Sequence, residues 1–341
     1  MPQLSNRGGK KSIKVCPRAS AQAEFEEARA QGISYHGMGE PQYPQYLKSI
    51  DYPPPLLSAK GKLSLNAAPP IGIVGARNSS LSGLKLATQF ATELGKIPYT
   101  IVSGFARGID AASHRAALDT GTISVLAGGV NVVFPPEHDD FYKEMLEKGN
   151  CFVSEMPPNY RPRAMDFPRR NRIIAGISLG VIVIEAAKRS GSLITARLAN
   201  ESGRLVFAVP GSPLDPRSAG ANLLLKNGAL IATEVDDIVE ALTPLLNSRD
   251  QNDKFESGNF ALEDSDQQSE IEQPGDIITD TTQSRRQQIL QALGPTPVDI
   301  DELIRHCQLP VADIQLVLIE LSLAGRIERH PGNKVSLIMG D

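Results

Sequence analysis

Arginine recurs in this chain where the backbone is about to turn. Gly75-Ala76-Arg77-Asn78-Ser79-Ser80 follows the apolar run Ile71-Gly72-Ile73-Val74, and Ser103-Gly104-Phe105-Ala106-Arg107-Gly108-Ile109-Asp110 follows Tyr99-Thr100-Ile101-Val102. A glycine-rich turn between a strand and a helix aims backbone N–H groups and the positive helix end at one point. A guanidinium beside it adds a planar, permanently charged fork of donors. The chemistry of such a place is capture of an anion, phosphate above all. Neither turn reads G-x-G-x-x-G or G-x-x-x-x-G-K-[ST], so a standard dinucleotide or nucleoside-triphosphate site is not indicated.

Further segments carry the same chemistry. Residues 161–172 (Arg-Pro-Arg-Ala-Met-Asp-Phe-Pro-Arg-Arg-Asn-Arg) hold five arginines against one aspartate, an electrostatic footprint for phosphates in which Arg170 sits amid Arg169, Asn171 and Arg172. Phe167 in the same stretch offers a ring on which a base can stack. The alternative is a solvated loop with surface ion pairs. Lys188-Arg189-Ser190-Gly191-Ser192 follows the run Val181–Glu185, and Ser190 or Ser192 can cap the next helix while its hydroxyls and Lys188 make a third cradle. Plain helix capping is the alternative there. Val209-Pro210-Gly211-Ser212-Pro213 reads as a turn-shaping segment at the same edge. Catalytic constellations are poor: there is no H-E-x-x-H and no G-x-S-x-G. Glu155 and Glu185, at strand ends, suit either general bases or groups that orient the arginines. Asp110 reads as a cap of the helix it opens, and His114, one helical turn on, reads as a helix-surface residue. No catalytic residue, metal site or cofactor is assigned.

These turns need a frame that aligns them. From residue 67 to 246, short apolar runs alternate with helical patterns: strands at 71–74, 99–102, 123–127, 151–155, 181–185, 205–209 and 229–231, and helices at 82–94, 111–118, 139–148, 169–175, 193–202, 221–225 and 235–242. Continuous rather than alternating apolar runs fit strands covered on both faces, and strict strand–helix succession predicts an α/β fold, a Rossmann-like doubly wound parallel sheet. The turns then share one rim at the carboxyl ends of the strands. Residues 1–66 read as a polar tail, one helical pattern at Ala21–Gln31 and a proline-rich approach. Residues 247–284 are acidic and almost free of aromatics, and read as a disordered linker. Residues 285–341 give three helical patterns and two short strands around His330-Pro331-Gly332-Asn333, a winged-helix domain. Its third helix, Val311–Leu323, has no lysine or arginine, which disfavours sequence-specific duplex reading.

Composition sets bounds. The 341 residues carry a net charge of −4 and 41% hydrophobic residues, ordinary for a globular protein and no advertisement for nucleic acid, although a whole-chain sum hides local patches. The three cysteines, Cys16, Cys151 and Cys307, are far apart and form neither a metal spacing nor a disulfide framework. With no apolar run of bilayer length, the expected location is the cytoplasm.

Taken together, Ile-Val-Gly-Ala-Arg-Asn-Ser-Ser (73–80), Ser-Gly-Phe-Ala-Arg-Gly-Ile-Asp (103–110), Phe-Pro-Arg-Arg-Asn-Arg-Ile-Ile-Ala-Gly (167–176), Ser-Gly-Ser-Leu-Ile-Thr-Ala (190–196) and Val-Pro-Gly-Ser (209–212) resemble the DNA-processing protein DprA (Smf) family over residues 40–245, and the tail resembles the winged-helix domain many members carry. The resemblance implies a homodimeric, non-enzymatic single-stranded DNA-binding protein of natural transformation, which protects incoming strands and loads the recombinase RecA. It implies a strand pocket using Arg77, Ser103, Gly104, Arg107, Gly108, Arg169, Asn171, Arg172, Lys188 and Ser192. Ala76 stands where the family motif has serine. Only Leu4 to about Gln31 resembles the end of the family's helical N-terminal domain, so that domain reads as truncated. The alternative from a different class is a Rossmann-like nucleotide hydrolase of the phosphoribohydrolase kind, whose P-G-G-x-G-T-x-x-E motif is missing here.

Overall fold

A computed structural model describes residues 16–63, 68–97, 99–251 and 281–338 of the chain. In chain order the first unit runs α1 (Arg18–Ala30), β1 (Ile33–Gly37), β2 (Leu56–Gly61), β3 (Pro70–Gly75), α2 (Leu81–Lys96), β4 (Thr100–Ser103), α3 (Ile109–Ala116), β5 (Thr122–Val125), α4 (Asp139–Glu147), β6 (Cys151–Ser154), α5 (Asp166–Ile177), β7 (Gly180–Ile184), α6 (Gly191–Glu201), β8 (Leu205–Ala208), α7 (Ala219–Lys226), β9 (Leu230–Ile231) and α8 (Val235–Gln251). The second runs α9 (Thr281–Ala292), β10 (Val298–Asp299), α10 (Ile300–Cys307), α11 (Val311–Leu323), β11 (Ile327–His330) and β12 (Lys334–Leu337).

The central strands are apolar on both faces, and the period of two divides them between two cores. Val74, Val102, Val125, Val153, Val181 and Val183 join the cluster that also takes Ile173, Ile174 and Ala196 from α5 and α6. Ile71, Ile73, Ile101, Ile182 and Ile184 join Phe90 and Leu94 of α2 and Ile238 and Leu242 of α8. Each buried aliphatic side chain contributes roughly 1.5–3 kcal/mol, so the two covered faces are the main source of the sheet's stability.

The sheet order is β1-β2-β6-β5-β4-β3-β7-β8-β9. β6 through β9 are parallel, as the strand–helix alternation requires. β1 and β2 extend the sheet antiparallel, β2 pairing with β6 from Ser58↔Ser154 to Gly61↔Cys151. Residues 33–61 therefore belong to the main sheet, not to a separate segment ending at residue 66. Proline clustering at residues 53–55 concealed two strands, β2, which pairs with the distant β6, and β1, which pairs with β2. α1 starts at Arg18, three residues before the expected Ala21. The expected linker at 247–284 falls largely on residues 252–280, outside those described; α8 continues to Gln251 and α9 begins at Thr281.

The chain winds outward from β3 through β4, β5 and β6, then crosses back to place β7 against β3. α2 lies on one face and α6 on the other. The loops after β3 and β7 thus part to opposite faces, and a crevice opens between them, the usual ligand position in a doubly wound sheet.

The winged-helix unit, with sheet order β10-β12-β11, sits against this same region. Leu81 and Leu84 of α2 pack into its core, and Lys85 pairs with Glu302. The Arg217 guanidinium is held by Asp215, both side chains largely buried, and donates to the carbonyls of Gln291 and Leu293 at the end of α9, each at 2.8 Å. Among the described residues no helix is long and apolar enough to cross a membrane. Arg217→Ala leaves the Asp215 carboxylate buried without its cation and is expected to cost about 3 kcal/mol. The check is a drop in the denaturation midpoint, which Arg217→Lys restores only partly because it lacks the fork.

Candidate nucleic-acid interface

The two glycine turns are stitched together. Gly108 has φ +71°, and a Cβ there would lie 2.3 Å from the Ala76 carbonyl, so only glycine fits. Ile109 N–H donates to that carbonyl at 3.2 Å. Asp110, the first-turn acid of α3, reaches back and accepts from the N–H groups of Gly104 and Ala106 at 3.1 and 3.3 Å. It locks the turn before its helix instead of capping the helix itself.

Over this turn lies Arg170. Residues 169–172 are helical, as expected, and not the alternative solvated loop; α5 begins three residues earlier than expected, at Asp166. A helix sends successive side chains 100° apart, so the basic run diverges. Arg170 is only 6% exposed and donates to the carbonyls of Gly104 and Val125 and to Asn171 Oδ1. Burial pushes the Asp110 carboxyl up, the Arg170 charge opposing, and burial lowers Arg170 to about 10, leaving it a cation at neutral pH. Arg169 and Arg172, three apart on the helix, share another face and both pair with Glu155. Asn171 Nδ2 donates to the Gly191 carbonyl at 3.1 Å, tying α5 to the start of α6.

Of the three candidate helix N-termini, one faces the crevice with its cap alone. At α2, Ser80 accepts from Gly83 N–H at 3.0 Å, while the Glu185 carboxylate accepts from Ser80 N–H at 2.8 Å and from the Ser80 hydroxyl. An anion from within the chain already occupies that end. At α6, Ser190 is the N-cap and its hydroxyl contacts that of Ser192 at 2.7 Å. Ser190, Gly191, Ser192 and Thr195 all line the cavity.

That cavity, about 360 Å³, lies at the β3/β7 crevice. Arg77, Arg170, Arg189 and Arg217, from four separate segments, line it with Asn78, Asp110, Phe167 and Asn171. Arg77 is exposed and rests on the Phe167 ring at 5.6 Å. Of the residues singled out from sequence, the structure brings Arg77, Phe167, Arg170, Asn171, Ser190 and Ser192 to one cavity. Arg107, Arg169 and Lys188 are exposed outside its lining, Arg107 paired with Glu137. Ser103 and Gly104 stand apart from them: Ser103 is 0% exposed and donates to the Ile73 carbonyl at 2.6 Å, and Gly104 is covered by Arg170. A strand-end residue is itself a sheet residue, which removes Ser103 from solvent. Gly108 shapes the turn, and Arg172 is half-buried on Glu155. Arg189 and Arg217 were missed as site residues. Arg189 had a signal, standing inside the third cradle; Arg217 had none, since only the folding back of the segment after β8 carries it to the crevice.

The two glutamates suspected as bases are committed, Glu185 to Ser80 and Glu155 to Arg169 and Arg172. His114 is fully buried, not on the helix surface: α3 packs on the sheet with that side inward. Its Nδ1–H donates to Thr122 Oγ1 at 2.6 Å, the threonine hydroxyl in turn donating to the Ile101 carbonyl.

Family models match on both units. Residues 34–243 match DNA recombination-mediator protein A, and residues 277–333 match the DprA winged helix domain. The chain belongs to the DNA recombination-mediator protein A (DprA) family. It is 38% identical over 296 residues to Protein Smf of Escherichia coli K12, covering 86% of this chain and 74% of that protein. It is 43% identical over 217 residues to DNA processing protein DprA of Bacillus subtilis, covering 63% and 73%. Among solved structures, DprA of Streptococcus pneumoniae is similar with TM-score 0.60 and 39% identity, covering 66% of this chain and 78% of that one. DprA of Helicobacter pylori, described for its unique single-stranded DNA binding mode, is similar with TM-score 0.56 and 26% identity, covering 62% and 96%.

Two outcomes follow from the geometry. Arg170→Met removes a buried cation from its carbonyls and from Asp110, and is expected to cost 3–5 kcal/mol or abolish folding. Arg77→Ala is expected to stay within about 0.5 kcal/mol of the parent; urea denaturation measures both. His114 is lowered by burial from its ordinary 6.5 to about 3. The unfolded chain then binds a proton that the folded chain refuses, so the stability from the neutral ring is whole above pH 6.5 and is lost as pH falls towards 3. Replacing His114 with Gln should flatten stability against pH in that window by up to about 1.4 kcal/mol per pH unit, measured by denaturant titration at several pH values.

Proposed function

We propose that the crevice binds the sugar–phosphate backbone of single-stranded DNA, and that the protein acts without catalysis in natural transformation, protecting incoming strands and loading RecA onto them. The carrying observation is the convergence of guanidiniums from four segments, with the exposed N-terminus of α6 and the Phe167 ring, on one cavity at the β3/β7 crevice. Exposed cations at separate points, Arg77 and Arg189 in the lining and Lys188 and Arg107 outside it, suit an extended polyanion better than one compact cofactor, since each can meet its own phosphate. The ring gives a sequence-tolerant base contact. Family membership and the strand-binding mode described for the H. pylori protein support the same reading.

Arg77, Arg189, Lys188 and Arg107 are the cations within reach of an incoming strand, because their heads are exposed. Arg170 acts from beneath, as a buried charge that holds the rim in shape. The homodimer of this reading uses the β9 edge, where Leu230 and Ile231 are exposed on the last strand of the sheet and Leu223 of α7 is exposed as well.

Arg77→Ala is expected to weaken single-strand binding by at least tenfold and to lower the slope of log affinity against log salt by about 0.7, the share of one neutralised phosphate. Fluorescence anisotropy across a salt series reads both. Unchanged affinity and slope would remove Arg77 from the site. Ile231→Glu is expected to shift sedimentation from dimer to monomer with the fold retained.

A further inference from the structure

The loop after β5 brings a second aromatic ring to the edge of the cavity. Phe134 is 38% exposed, and its ring centroid lies 5.3 Å from that of Phe167, the planes at 57°. Phe167 belongs to the cavity lining; Phe134 does not. Its sequence neighbours Val133 and Pro136 line another hollow of about 510 Å³, with Asn131, Asn159, Asp139, whose carboxylate is paired with Lys143, and the exposed Arg161. Phe134 therefore touches a ring that lines the first hollow and stands in sequence between residues that line the second.

Its loop is held firmly. Gly129 N–H donates to the Tyr160 carbonyl at 2.9 Å and Val132 N–H to the Gly129 carbonyl at 2.9 Å. Asn159 N–H donates to Asn131 Oδ1 at 2.8 Å, and the His138 imidazole donates to the Phe105 carbonyl at 3.2 Å. Glu137 is paired with Arg107 of the neighbouring turn. A braced loop that keeps a phenylalanine half in water, against a ring already bearing a guanidinium, is poor core packing but a good stacking surface. Arg77 covers part of the Phe167 ring, so Phe134 is the more open ring of the pair.

We propose that Phe134 is a second base-stacking ring, which carries the strand out of the cavity, over the Phe167–Phe134 step, and into the hollow where Arg161 meets its next phosphate. The inference rests on the reading that the cavity holds single-stranded DNA, and it adds to that reading a direction for the strand and a second subsite.

The test uses the full chain, with a labelled oligodeoxythymidine of about 15 nucleotides, one of about 4, and a long strand carrying 2-aminopurine. For Phe134→Ala the long strand is expected to bind about tenfold more weakly, with the salt slope unchanged because no phosphate contact is lost. The short strand is expected to bind as to the parent. Phe134→Tyr keeps a ring and restores the long-strand affinity. Arg161→Ala should instead lower the long-strand salt slope by about 0.7. One 2-aminopurine position should lose its quenching in Phe134→Ala. If the parent binds with a steep salt dependence while Phe134→Ala binds the long strand within twofold and quenches identically, the second ring is refuted and the strand-binding cavity stands. If the parent fails to bind single strands at moderate salt, both fall.

Discussion

A guanidinium buried at the sheet's rim is the interaction on which the site depends. Arg170 donates to carbonyls at the ends of β4 and β5 while lying over Asp110, which itself holds the N–H groups of Gly104 and Ala106. One charge pair thus fixes two strand ends, the second glycine turn and the start of α5 relative to one another. Burial penalises both members, raising the acid and lowering the base. The arrangement persists because each charged group also meets backbone hydrogen-bonding partners, the condition under which a buried pair is tolerated. The apolar faces supply stability; this pair supplies shape.

That division explains how positive charge is spread along the rim. Arginines that look equivalent in a run do different work because the run is a helix. Arg170 turns inward, while Arg169 and Arg172 lean on Glu155. The cations free to meet a ligand come from loops, Arg77 and Arg189 among them, where the chain lets the side chain reach water. Carboxylates are managed in the same way. Glu185 fills the positive end of α2 from inside the protein, so the exposed N-terminus at the crevice is that of α6. An anion approaching the rim meets one open helix end and several guanidiniums, with the nearest carboxylate, Asp110, already bonded to its own turn.

The winged-helix unit is part of this economy of contacts. Its third helix carries no basic residue and exposes Leu316, Ile319 and Leu323, an apolar surface unsuited to duplex phosphates. Its docking instead uses Leu81 and Leu84 beside the first glycine turn, and Arg217, whose guanidinium binds the end of α9 and also lines the cavity. Cavity and C-terminal unit therefore share an element, the Arg217 guanidinium.

Much of the architecture was legible from local pattern. Continuous apolar runs such as Val181–Glu185 and the amphipathic stretches between them set strand, helix and their succession, because period and length are local properties of a chain. The glycine turns, the basic character of 161–172 and the three helices of the tail followed from residue type alone. What escaped were relations between distant segments. β2 exists by pairing with β6 and β1 by pairing with β2, Ser103 is removed from solvent by Ile73, and His114 is buried because α3 lies on the sheet with that side inward. Arg217 enters the cavity only after the chain passes β8. Residue identity decided that this rim would be rich in guanidinium and glycine. Which of those cations face water, and which brace the scaffold, was decided by tertiary packing, since exposure is a property of what lies opposite a side chain and not of its neighbours in sequence.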